Sequence, residues 1–127
     1  MSLEFKTTRI RDEFSQLLTK NQRLFYLLTE LTIYVGEKHK KPVVLTSIIR
    51  TPEEQAELYK KSPIKVQNSP HMRWEAVDLR STIYTQSEAS DILDYINSRI
   101  KNPDGRKSFI HAIPGGAVHF HVYVQGT

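Results

Sequence analysis

From about Asp12 onward, apolar residues recur at helical spacing: Phe14, Leu17, Leu18, Leu24, Leu28, Leu31 and Val35. That period predicts helix with one stripe facing a core. Asn21 can cap a second helix and so divides the stretch in two, and Gly36 marks an end. Pro42-Val43-Val44-Leu45-Thr46-Ser47 reads as a buried strand. Thr51-Pro52-Glu53-Glu54 then opens a helix running to about Lys61, with Thr51 as cap, Glu54 as its capping-box partner and Pro52 in the first turn. Ser62 to Pro70 is a polar loop. In a strand from Trp74 to Arg80, Val77 and Leu79 share one face, and Ala76 and Asp78 the other.

Thr85 or Ser87 opens a further helix carrying Ala89, Ile92, Leu93, Ile96 and Ile100 on one side, which Asn102-Pro103-Asp104-Gly105 breaks. Lys107–Ile113 and Ala117–Val124 read as a hairpin around Pro114-Gly115-Gly116. The order is helices, strand, helix, strand, helix, hairpin. It predicts an α+β fold, a small and mainly antiparallel sheet with helices packed on it, in a single domain over residues 1–127.

Composition narrows the chemistry. With 39% hydrophobic and 25% charged residues the chain can bury one modest core, which excludes a disordered class. It has no cysteine, so disulfides and thiolate metal sites are excluded and any metal must be held by histidine and carboxylate. No apolar run is long enough to span a bilayer. The opening residues, Met1-Ser2-Leu3-Glu4-Phe5-Lys6, lack the apolar core of a secretory leader. The expectation is a protein made in the cytoplasm without a signal peptide, and a monomer. The formal net charge of +4 is spread along the chain without a basic block, and no interleaved aromatic motif accompanies it, so no nucleic-acid partner is expected.

The last strand carries the clearest chemical pattern. Val118, Phe120, Val122 and Val124 alternate with His119, His121 and Tyr123, so both histidines project from one face. A lone strand histidine is usually packed or solvated; two on one face, among five in the chain, favour a site. Asp78 is a second anomaly, because aspartate is disfavoured in mid-strand. The bland alternative is an edge-strand aspartate in water. One histidine, one aspartate and a histidine from another strand would supply the three N/O ligands that a catalytic zinc keeps while leaving a position open.

These residues carry a resemblance. Ser69-x-His71-x-x-x-x-Ala76-x-Asp78, followed by His119-x-His121, resembles the zinc D-alanyl-D-alanine carboxypeptidases. Their relatives are phage L-alanyl-D-glutamate endolysins, murein endopeptidases and the Hedgehog signalling domain. Upstream, Ser47-Ile48-Ile49-Arg50 before Thr51-Pro52-Glu53 is similar to the family's Ser-x-x-Arg, so the likeness covers about residues 42–124.

The resemblance implies zinc (Zn2+) held by His71, Asp78 and His121. It implies substrate orientation and transition-state stabilisation by Arg50, and a supporting, substrate-binding hydroxyl on Ser69. The implied reaction is hydrolysis of amide bonds in peptidoglycan stem peptides, by a phage lysis-like enzyme that meets the cell wall after release. Zinc would polarise the carbonyl and lower the pKa of water, and a nearby base would take the proton.

Two positions depart from the family. Trp74 stands where glycine is usual, so the bend after His71 is expected to be made differently. Val118 stands where the catalytic carboxylate commonly lies. His119 faces the site and is the replacement candidate for the catalytic base, with Glu75 and His111 behind it. If Ile113 pairs with Ala117, His111 falls opposite His119 and can orient it. The missing carboxylate keeps open another class, a non-catalytic zinc-stabilised module that binds wall peptide or protein.

Overall fold

The computed structural model describes residues 2–49, 73–112 and 118–126. The expected helix over Thr51–Lys61, the loop to Pro70, and Arg50, Ser69 and His71 lie outside the described residues, as does the tip of the hairpin. Among the described residues there are five strands and three helices, in the order β1 (Leu3–Phe5), α1 (Thr8–Lys20), α2 (Gln22–His39), β2 (Val43–Ser47), β3 (Ala76–Arg80), α3 (Gln86–Arg99), β4 (Phe109–Ala112) and β5 (Val118–Tyr123). The sheet runs β1-β2-β3-β5-β4. Only the β1–β2 pair is parallel, so the fold is α+β with a mainly antiparallel sheet.

The helix starts follow local chemistry. The Thr7 side chain accepts a hydrogen bond from the Ile10 amide at 3.2 Å and opens α1 four residues before the apolar stripe becomes readable. Asn21 does divide the two helices. Its Oδ1 accepts from the Leu24 amide, and its Nδ2 donates to the carbonyls of Trp74 at 3.0 Å and Val124 at 2.9 Å. One buried side chain thus caps α2 and ties the helical layer to β3 and to the chain leaving β5. Gly36 does not end α2. The helix continues to His39 and stops where Lys40 takes the left-handed backbone, φ 56°. Thr85, not Ser87, caps α3, in a reciprocal capping box with Glu88.

All three helices pack on one sheet face. Leu17, Leu24, Leu28, Leu31, Ile92 and Ile96 meet Val43, Leu45, Val77, Leu79, Phe120 and Val122, all essentially buried. Residues directly opposite in an antiparallel pair share a face. The register therefore sends Ala76, Asp78, Arg80, His119, His121, Phe109 and His111 to the other side. No described helix is long and apolar enough to cross a membrane.

A polar network joins α2 to α3. Asp91 accepts hydrogen bonds from Tyr34 (2.8 Å) and Lys38 (3.0 Å), and His39 Nε2 lies 2.8 Å from it. Lys41 donates to Glu88 at 2.6 Å. Desolvation pushes the Asp91 carboxyl up, but the bonds from Lys38, His39 and Tyr34 outweigh it and hold the group at about 2. The bond from Lys41, helped by the Thr85 amide, likewise holds Glu88 at about 2.

Candidate metal centre

Asp78 is not at a sheet edge. It lies in β3, flanked by β2 and β5, and is 0% exposed, which rules out an edge aspartate solvated by water. Taking a carboxylate out of water costs several kcal/mol unless a partner charge or a metal compensates. The alternation that aims Val77 and Leu79 into the core aims Asp78 the opposite way. Directly across in register stands His121 of β5, whose Nδ1 is 3.6 Å from Asp78 Oδ1.

The outer strand brings the third member. His111 pairs with His119, the register expected if Ile113 were to pair with Ala117, and its Nε2 comes within 4.0 Å of the same Asp78 oxygen. The two imidazoles stand nearly perpendicular, 83° between planes with centroids 5.5 Å apart. Asp78, His111 and His121 each offer one donor atom, and those atoms all lie within 4.8 Å of one another. Zinc bonds of about 2.0–2.2 Å place tetrahedral donors roughly 3.3–3.5 Å apart. The cluster is therefore slightly open relative to a closed coordination shell, and side-chain rotation would bring it in. Two imidazoles and a carboxylate around one point form a donor set that suits a divalent transition metal. This buried group could hold a metal ion.

The expected ligand trio thus splits. Asp78 and His121 come together, His71 lies outside the described residues, and His111, expected to orient His119, joins them as a donor. The signal for it was present: strand period two, plus the glycine-containing turn, already put His111 beside the metal face. His119 shares that face, opposite both Arg80 and His111, but lies outside the trio of donor atoms.

Glu75 is engaged elsewhere. Its Oε1 accepts from Arg73 Nε at 2.7 Å and its Oε2 from the Gly126 amide at 2.6 Å. Tyr123, on the site face beyond Ala76, is no base either. Burial and its hydrogen bond to Asp104 push the phenol up to about 12. Phe109 walls the cluster from the outer strand, its ring centroid 4.8 Å from that of His121, and is itself 48% exposed.

The bend before β3 corrects another expectation. Trp74 takes φ 60°, the left-handed conformation that glycine adopts without strain. The backbone therefore turns with the geometry expected of glycine, and a bulky residue carries it at a cost of about 1–2 kcal/mol. Packing of the indole against the core and the Asn21 hydrogen bond to the Trp74 carbonyl offset that cost.

No protein-family model, curated protein or solved structure matches this chain.

Proposed function

We propose that this protein is a zinc-dependent peptidase that hydrolyses amide bonds in peptidoglycan stem peptides. The observation that carries the reading is the Asp78–His121 pair: two of the three residues implied as zinc ligands, read from separate motifs 43 positions apart, face each other across β3 and β5 around a fully buried carboxylate. Bound zinc would polarise the scissile carbonyl and make water nucleophilic near neutral pH. Asp78 and His121 hold the ion, with His71 as the further ligand carried over by the resemblance. Arg50 orients the substrate, Ser69 supports it, and His119 accepts the proton. A neutral imidazole carries a free nitrogen lone pair that can take that proton. On this reading the protein works as a monomer on the wall, reaching it after release from the cytoplasm.

The test is digestion of purified peptidoglycan by the zinc-loaded protein, with mass spectrometry of the fragments. Shortened stem peptides that disappear with a chelator are expected. His119→Ala should keep the metal and lose activity by roughly a hundredfold or more. Native-rate cutting by that variant would move the base elsewhere.

A second reading has its own observation. With His111 in the cluster, His71 would make a fourth protein ligand, and four protein ligands close a zinc site as in structural centres. Val118 at the position of the family's carboxylate agrees with it. A zinc-stabilised module binding wall peptide would leave the stem peptides of the digest intact while still retaining them.

A further inference from the structure

The row of residues next to the metal cluster contains a cation that the cluster does not use. Arg80 follows Asp78 by two positions on β3, so the two side chains share a face with their Cα atoms roughly 6.5–7 Å apart. Across the sheet, Arg80 pairs with His119, which pairs with His111, so guanidinium, imidazole and imidazole form one row beside the Asp78–His121 row. Arginine is long enough to bend back onto a carboxylate at that spacing, and a buried carboxylate is the strongest local attraction for it. It does not do so. Among the described residues, the groups near Asp78 Oδ1 are His121 and His111, and Arg80 makes no hydrogen bond or ion pair with any described residue. Arg80 itself is partly exposed.

A guanidinium is charged at every relevant pH and presents a planar fork of donors that matches a carboxylate. Held apart from the Asp78 carboxylate, Arg80 is positioned for an anion arriving from outside. We infer that Arg80 is a substrate-binding residue that recognises a free carboxylate on the peptide, and so makes the site selective for carboxylate-bearing substrates. This rests on the peptidase reading for the identity of the peptide, and it adds a second cationic contact to the one expected of Arg50. Stem peptides carry more than one carboxylate, so the two arginines need not compete. His119, between Arg80 and His111 in the row, would lie between the captured anion and the metal donors.

The experiment compares zinc-loaded wild type with Arg80→Ala and Arg80→Lys. The probes are the stem pentapeptide L-alanyl-D-glutamyl-L-lysyl-D-alanyl-D-alanine and the same peptide with its carboxyl groups amidated. Affinity is read by calorimetry, or as KM where the peptide is cut, and metal content is measured alongside. Wild type should prefer the free-carboxylate peptide. Arg80→Ala should weaken that peptide by roughly ten- to a hundredfold, the range of a charge-assisted hydrogen bond. It should leave the amidated peptide and the zinc content unchanged, and Arg80→Lys should recover part of the loss. Equal loss for both peptides, no loss for either, or no wild-type preference would overturn the assignment. Preferential binding without cleavage would instead overturn the peptidase reading and leave Arg80 standing.

Discussion

At the scale of single residues, the site turns on where charge is allowed to sit. Asp78 has no exposed surface, and propensity alone would keep aspartate out of a central strand. Its location makes sense when two imidazoles aim nitrogen at the same carboxylate oxygen from 3.6 and 4.0 Å. These separations exceed ordinary hydrogen bonds, but a shared cation would bring all three donors to bonding distance.

His111 decides the character of the site. If it is a ligand, His111→Ala should lower zinc affinity by well over a hundredfold, as judged by competition with a fluorescent chelator. If it only orients another histidine, the loss should stay within the roughly ten- to hundredfold typical of outer partners. An affinity equal to wild type would remove it from the centre altogether.

Asp78 and His121 were legible in the sequence because strand alternation is strict: one apolar face fixes the other. His111 was only half legible, because its membership depends on register across a turn, which one added residue would reverse. Trp74 misled for a physical reason. Left-handed backbone signals glycine, and a tryptophan anchored by packing overrides that signal.

Among the elements, α2 and α3 were readable from their apolar period and caps, whereas β1 was not. Leu3-Glu4-Phe5 is too short to show a period, and it becomes a strand only by pairing in parallel with Val43–Leu45, some forty residues later in the chain. The end of α2 was misplaced because Lys40, a non-glycine residue, supplies the left-handed stop that Gly36 appeared to offer.

Asn21 shows how one residue couples elements. It caps α2 and satisfies two carbonyls, one before β3 and one after β5. Asn21→Ala should destabilise the fold by about 2–4 kcal/mol, the sum of lost hydrogen bonds and stranded carbonyls, read as a lower urea midpoint. A change below about 0.5 kcal/mol would show that the junction holds without it.

The α2–α3 network gives a pH signature. Asp91 and Glu88 are both held below their ordinary values, at about 2. Their contribution is therefore complete above their unfolded pKa values and is lost as pH falls from about 4 toward 2. The double variant Asp91→Asn, Glu88→Gln should melt earlier than wild type at neutral pH, and its melting temperature should fall less steeply across that acid window. Parallel slopes for the two proteins would contradict the network's role.

For the molecule as a whole, the division of labour lies between the two faces of one sheet. The helices bury one face in an apolar core, and that rigid packing fixes the register that brings β3, β5 and β4 donors together on the other. Metal binding should feed back on the fold, since an ion that binds only the native arrangement stabilises it by mass action. The measurement that tests this most directly is zinc stoichiometry after reconstitution and removal of free metal, in wild type and in Asp78→Asn and His121→Ala variants, with melting temperatures taken in parallel. About one equivalent is expected in wild type, with a higher melting temperature in zinc, and both should be lost in the two variants. A wild type that folds but retains no metal, or variants that keep a full equivalent, would contradict it.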